Sequence, residues 1–398
     1  MNFSQRITTM QASPVRRLVP YAQAAKSKGK KVYHLNIGQP DIKTPKSFFT
    51  AVKNFDEEVL EYALSQGIPE LIDAIRNYYT TYNMNFEKDE ILITNGGSEA
   101  LMFAFIAVAD PGDEVLAPEP FYTNYNGFAE AVNVKVAPVT TKAENGFHLP
   151  SKEEIVSRVK PNTKAILLSN PGNPTGVVFT KEEIEMVAQI AIEHNLFIIA
   201  DEVYREFVYD GLEYTSFGNI ESVEDRVIIV DSVSKRYSAC GARIGSLACK
   251  NKELMAQILK LCQGRLCVPT LEQVGAVELY KTPNSYLEEV NQEYKKRRDV
   301  VFNALKEIDG IVCEEPKGAF YVVVKMPVDN AEKFIIWMLE EFDHEGETVM
   351  MSPAEGFYAT PNMGIDEARI AYILKEEDLK RSMEILKIGL EKYPGRTK

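Results

Sequence analysis

Six short apolar runs recur through the middle of this 398-residue chain. Each is too short for a globular helix and too uniformly apolar for a strand with one face in water. They are Glu90–Thr94 (EILIT), Glu114–Ala117 (EVLA), Lys164–Ser169 (KAILLS), Leu196–Ala200 (LFIIA), Val227–Val230 (VIIV) and Ile244–Cys249 (IGSLAC). Largely β-branched and bounded by Gly, Pro, Asn and Asp, they predict strands buried on both faces. Amphipathic stretches separate them. Lys181–His194, opened by Thr180 with Glu183 three residues on, predicts a capped helix. Strand–helix alternation of this kind leads to an open, mostly parallel α/β sheet with helices on both faces.

After about Tyr280 the pattern changes. A long charged helix, Tyr286–Ile308, is followed by a Gly-Ala-Phe-Tyr-Val-Val-Val strand, a helix at Ala331–Glu341, a strand pair and a last helix at Lys375–Tyr393. This texture predicts a smaller α+β domain. The segment up to about Gln39 has too little apolar periodicity to stand alone and is expected to pack against it. The expected division is a large domain over 40–280 and a small one built from 1–39 with 281–398.

Charge and composition narrow the function. The balance of 45 Lys+Arg against 58 Asp+Glu gives −13, which opposes nucleic acid as a partner. No apolar run reaches the roughly 18 residues of a membrane helix, and the opening MNFSQRITTM lacks a secretory core. Five cysteines without a CxxC pair point to reduced thiols in the cytoplasm. Four histidines, none spaced HxxxH, give no expectation of a metal site.

The chemistry-bearing residues stand at strand ends. Ser232-Val233-Ser234-Lys235 follows VIIVD, and Arg243 lies eight residues on. Two hydroxyls and a guanidinium beside a lysine make a phosphate grip next to an amine. Asp201 ends the apolar run LFIIAD, with Tyr204 three residues later. Ser169-Asn170-Pro171-Gly172-Asn173-Pro174-Thr175-Gly176 is a rigid turn that fixes the amide of Asn173. Asn95-Gly96-Gly97-Ser98 opens a helix whose free N–H groups suit an anion. Pyridoxal 5′-phosphate calls on all of these: an amine for its aldehyde, a carboxylate for its pyridinium nitrogen, neutral donors for its ring oxygen and a grip for its phosphate.

In this combination the sequence resembles the class I/II aminotransferases of the fold-type-I pyridoxal-phosphate superfamily. The likeness runs through NIGQPDIKTP at 36–45, YALSQGIPELIDAI at 62–75, TNGGSEAL at 94–101, DPGDEVLAPEPFY at 110–122, SNPGNPTG at 169–176, ADEVY at 200–204, SVSKRYSACGARIG at 232–245 and GAFY at 318–321. It implies a homodimer running a ping-pong exchange of an amino group between an L-amino acid and a 2-oxo acid. Lys235 is then the Schiff-base lysine and proton carrier, and Asp201 partners the pyridinium nitrogen. Tyr204 and Asn173 address the ring oxygen, and Gly97, Ser98, Ser232, Ser234 and Arg243 surround the phosphate. Tyr122 stacks on the ring, Tyr62 reaches the phosphate across a dimer interface, Gly38 lines the substrate pocket and Arg369 grips the substrate α-carboxylate.

Substrate choice is left open by these motifs. Arg265, in CQGRLCVPT, is implied as a second clamp for aspartate or glutamate, or else as a subunit-interface arginine. Tyr21 and Arg16 belong to a segment that covers the substrate in relatives. The same scaffold also serves C–S or C–C lyases and decarboxylases, the alternative to amino transfer.

Overall fold

The computed structural model describes residues 1–397. Its strands, in chain order, are β1 (Lys31–His34), β2 (Ile91–Thr94), β3 (Glu114–Glu119), β4 (Lys135–Thr140), β5 (Thr163–Ser169), β6 (Phe197–Asp201), β7 (Val227–Ser232), β8 (Gly245–Ala248), β9 (Tyr321–Lys325), β10 (Glu347–Met350), β11 (Ser352–Pro353) and β12 (Glu367–Ala371). A seven-stranded sheet runs in the order β2-β8-β7-β6-β5-β3-β4. All of its neighbours pair in parallel except at β8, which is antiparallel to both β7 and β2. This is a mixed, mostly parallel α/β sheet of the fold-type-I class.

That topology places the chemistry. The C-terminal ends of β5, β6 and β7 meet at one edge, where Ser169 pairs with Asp201 and Asp201 with Val230. Because β8 runs the other way, it delivers its beginning to the same edge, with Ser232 opposite Gly245. The helix Gly96–Val108 starts there too, directly after β2. The central strands carry almost no polar side chains before their last residues, so both faces take helices and the charged groups collect at the edge.

A second antiparallel sheet has the order β11-β12-β9, and β1 pairs in parallel with β10. These strands, the helices Val19–Ser27, Asn284–Lys306, Ala331–Glu340 and Glu376–Lys392, and Tyr204, Phe207 and Tyr209 share one apolar core. The large sheet has its own apolar layer on each face.

The expected helix after Thr180 forms over Lys181–Glu193, with the reciprocal Thr180–Glu183 capping bonds in place. Besides β1 in the N-terminal segment, and three strands where a pair was expected after Glu341, one strand of the large sheet escaped the sequence reading. Lys135–Thr140 holds Pro138 and alternates in burial, and it lies at the sheet's edge, where a missing N–H costs no ladder bond. The long charged helix begins at Asn284, after Pro283, two residues before the expected start.

Beneath the site edge lies a buried charge network. Asp231 accepts from Arg205 at 3.1 Å and from Arg236 at 2.9 and 2.7 Å. Arg205 also donates to Glu202 at 2.7 Å, while Arg236 donates to Glu206 at 3.2 Å. The network fastens the loop carrying Tyr204 to the turn carrying Lys235. Removing Asp231 takes the shared carboxylate from two buried guanidinium groups and leaves each with one acid, so Asp231→Ala is expected to cost about 3 kcal/mol in denaturant unfolding. By contrast, Glu185→Ala breaks only the exposed pair with Lys181 and should cost under about 1 kcal/mol. Comparable losses for the two variants would refute this ranking.

Candidate active site

A cavity of about 680 Å³ opens at the sheet edge and is lined by residues from both cores. Gly38, Gly97, Ser98, Tyr122, Asn173, Asp201, Tyr204, Ser232, Ser234, Lys235, Arg243 and Arg369 all face it. Three residues singled out from the sequence, Tyr62, Arg265 and Tyr21, do not. Tyr62 is 80% exposed on an outlying loop. Arg265 lies off the cavity, near Glu99 (3.4 Å), and donates to the carbonyls of Ile93 (3.1 Å) and Ser65 (3.4 Å). Arg16 lines the cavity, whereas Tyr21 packs against the smaller core.

Lys235 sits in the turn after β7, where Ser232 caps the short helix Val233–Arg236 by accepting from the Ser234 N–H at 3.1 Å. Its Nζ donates to the Gly38 carbonyl at 2.8 Å and lies 4.0 Å from Cys240 Sγ. Gly38 has to be glycine, since a Cβ there would lie 1.8 Å from the Tyr321 hydroxyl. That hydroxyl pairs with Tyr204 at 2.8 Å. Burial pushes the Tyr204 phenol well up, and it lifts Tyr122 to about 12, so both are neutral donors at ordinary pH.

Asp201 is the most demanding group in the cavity. Its Oδ2 accepts from Tyr125 at 2.7 Å, while its buried Oδ1 has no partner. Burial lifts its carboxyl to about 6, opposed by the Tyr125 hydroxyl and the Val203 backbone N–H and helped by repulsion from Asp231 and Glu202. A buried carboxylate oxygen left without a partner, on a residue that lines the cavity, fits a cationic N–H donor such as a pyridinium.

The other end of the cavity suits an anion. Gly96, at φ +72°, opens the 13-residue helix Gly96–Val108, and a Cβ there would meet Arg243 at 2.5 Å. Arg243 donates to the carbonyls of Cys240 (3.1 Å) and Asn95 (3.5 Å). The helix N-terminus, the hydroxyls of Ser98, Ser232 and Ser234 and this guanidinium therefore face one space. With Asp201 at one end and this grip at the other, the residues present fit pyridoxal 5′-phosphate.

Arg369, on β12, comes from the other core. It donates to Asn173 Oδ1 (3.0 Å) and to the Asn36 carbonyl (2.6 Å), and its Nε has no partner. Burial lowers its pKa from the usual value, with the phenols of Tyr321, Tyr204 and Tyr122 opposing. Its guanidinium carbon stands 4.5 Å from the Tyr321 ring centre.

Sequence reasoning assigned no role to Tyr125, Tyr321, Asn36 or Cys240. Tyr321 was legible as the end of the GAFY motif, and Tyr125 follows Tyr122 by three residues on one helical turn. Asn36 opens the motif at 36–45, but the backbone carbonyl it offers to Arg369 has no side-chain signal. Among the described residues, no group of three His, Cys, Asp or Glu side chains is arranged to hold a metal ion, and no helix is long and apolar enough to cross a membrane.

Comparison with known proteins follows the same lines. The family described as aminotransferase class I and II matches residues 30–386. The chain is 31% identical over 396 residues to an aspartate aminotransferase of Pyrococcus horikoshii, covering 98% of this chain and 97% of that protein. It is 34% identical to a probable aspartate aminotransferase of Methanocaldococcus jannaschii, covering 89% and 92%. A solved alanine aminotransferase from Pyrococcus furiosus superposes with a TM-score of 0.90 at 31% identity, over 98% of this chain and 100% of that one.

The raised carboxyl of Asp201 sets a pH dependence. Its folded value of about 6 exceeds the usual 3.8, so the folded state holds the proton more tightly. The contribution to stability is therefore complete below the usual value and is lost as pH rises through about 6. In cofactor-free protein this group alone should lower stability by about 2 kcal/mol between roughly pH 4 and pH 7. Asp201→Asn should remove that component, checked by denaturant midpoints across the range. An unchanged pH slope in the variant would place the ionisation elsewhere.

Proposed function

We propose that the cavity holds pyridoxal 5′-phosphate at the sheet edge and a substrate α-carboxylate at Arg369, in a chain that belongs to the class I and II aminotransferases. The chain is a pyridoxal-phosphate-dependent transaminase. Its family and relatives favour amino transfer over the lyase and decarboxylase outcomes. One observation carries the assignment of roles: the unpartnered Asp201 Oδ1 shares a cavity with the Lys235 amine and the Arg369 fork.

When bound, the cofactor supplies an electron sink for the bond broken at the substrate Cα. Asp201 would hold the positive charge on its ring nitrogen. Gly97, Ser98, Ser232, Ser234 and Arg243 would hold its phosphate, Tyr122 its ring face, and Tyr204 with Asn173 its ring oxygen. Lys235 Nζ, tethered by the Gly38 carbonyl, takes the proton from the substrate Cα and returns it, acting as general base and then acid. Arg369 binds the α-carboxylate through a charge-assisted fork and fixes the direction of the Cα–H bond. Gly38 lines the wall beside it, too close to Tyr321 for any side chain.

The preferred donor is an acidic amino acid, a reading supported by the names of the aspartate aminotransferases to which the chain is similar. We further propose a homodimer working in the cytoplasm. Val59, Leu60, Tyr62, Leu64 and Leu266 are exposed. Thr270 donates to the Glu61 carbonyl and Arg265 to that of Ser65, knitting the Tyr62 loop to the Arg265 segment. A second copy covering this strip would bring Tyr62, with Arg265 behind it, toward the partner's phosphate site. The same reading takes 40–280 as the cofactor-binding domain and 1–39 with 281–398 as the small domain, supported by their separate sheets and cores.

The test is a half-reaction. Cofactor-loaded protein mixed with one amino acid, without any 2-oxo acid, should release a single equivalent of 2-oxo acid per site and then stop. Adding a 2-oxo acid should restart it. Continuous product without an acceptor would mean a lyase or decarboxylase. Lys235→Ala is expected to slow the half-reaction by about 10²–10⁴-fold. Arg369→Lys should raise the amino-acid KM by roughly 10-fold or more, and an unmoved KM would remove Arg369 from the clamp.

A further inference from the structure

The cavity contains four cations, and only one of them lacks a partner. Lys235 donates to the Gly38 carbonyl, Arg243 to the carbonyls of Cys240 and Asn95, and Arg369 to Asn173 and Asn36. Arg16 also lines the cavity, and among the described residues its side chain forms no ion pair and no hydrogen bond. Its neighbour Arg17 is different: it points away and pairs with Glu332.

The side chain of Arg16 is exposed at the cavity, and the backbone on either side of it is held in place. Leu18 is buried in the smaller core. Pro14 is buried against Gly356, where even a Cβ would lie 2.7 Å from the proline ring. The Val15 carbonyl accepts from the Asn36 side chain at 3.3 Å. The backbone carbonyl of that same Asn36 accepts from Arg369. The tight turn at Arg16 is closed by its N–H and that of Arg17 bonding the Ser13 carbonyl. The segment that presents Arg16 is therefore anchored to the residue that orients Arg369. The positive charges of Arg369 and Arg16 both oppose the burial that raises the Tyr122 phenol.

A cation facing a substrate cavity without an acid of its own is a ready partner for an anionic substrate group. With Arg369 taking the α-carboxylate, we propose that Arg16 binds the distal carboxylate of a dicarboxylic amino acid and sets the preference for such donors over monocarboxylic ones. This rests on the transaminase reading above. Arg265, tied to Glu99 and two backbone carbonyls, supports the Tyr62 loop instead.

The experiment measures kcat/KM of the cofactor-loaded enzyme for aspartate, glutamate, alanine and phenylalanine, in wild type, Arg16→Gln, Arg16→Lys, Arg17→Gln and Arg265→Ala. Arg16→Gln should lower the dicarboxylic-to-monocarboxylic ratio by roughly tenfold or more. Arg16→Lys should recover part of it, and Arg17→Gln should leave it in place. Inhibition by succinate, an unreactive dicarboxylate, should weaken in Arg16→Gln, while inhibition by propionate should hardly move. An unchanged ratio, or equal loss on all four amino acids, would overturn the assignment while leaving transamination standing. A ratio that falls only in Arg265→Ala would transfer the clamp to Arg265 and overturn it as well. Failure of the wild type to yield a 2-oxo acid from any amino acid would overturn the transaminase reading and this one together.

Discussion

Asp231 lies between two arginines, and the arrangement of the site depends on that contact. Arg205 belongs to the loop after β6 and Arg236 to the turn after β7. Both guanidinium groups are buried, so each requires a carboxylate, and the shared one holds the two loops at a fixed separation. Such a cluster contributes little net stability, because desolvating the ions costs nearly what their attraction returns. What it contributes is position. Tyr204 adjoins Arg205 and Lys235 adjoins Arg236, so phenol and amine are set by the same buried ions.

The second costly feature is Asp201. Parallel strands bring their last residues to one edge, and register puts Asp201 between Ser169 and Val230 with apolar residues behind it. A carboxylate there has lost its water and gained one hydrogen bond, from Tyr125. Left alone it holds its proton up to about pH 6, well above the usual range for a carboxyl. The site thus holds an unmet demand for positive charge at one fixed point, which a cationic ring nitrogen satisfies. The neighbouring acids Asp231 and Glu202 are already committed to arginines, so the demand is specific to Asp201.

Much of this was legible before any coordinates. The uninterrupted apolar runs announced strands covered on both faces, and the polar residues that close or follow several of them announced the edge where chemistry collects. Lys235, Asp201 and Asn173 stood out because each closes or follows such a run, and Arg243 because it stands eight residues beyond Lys235, just before another. Other features left weaker marks. Pro138 disguised β4, since proline speaks against a strand except at an edge, and edge position is a property of the whole sheet. Asn36 acts through a carbonyl that every residue possesses. The Tyr204–Tyr321 bond joins positions 117 residues apart and exists only because the two cores meet. Arg265 shows the limit in the other direction. An arginine in an apolar segment reads equally as clamp or support, and only its contacts within the fold, to Glu99 and two carbonyls, distinguish what one chain does with it.

The seam between the cores decides how specificity is divided. The Gly176 carbonyl accepts from both Lys317 and Gly318, Ala319 donates to the Phe207 carbonyl, and Tyr204 meets Tyr321 across the junction. A Cβ at Gly318 would lie 2.7 Å from the Phe207 carbonyl, so the backbones there are in direct contact. A seam made this tightly fixes the spacing of Arg369 from Lys235 before any substrate arrives. Part of the entropy of orienting the Cα–H bond is thereby met in folding rather than in binding. But that fixed spacing addresses only the atoms common to every α-amino acid. Discrimination among side chains has to come from groups that the seam does not consume. On the N-terminal segment that borders the cavity, that group is Arg16.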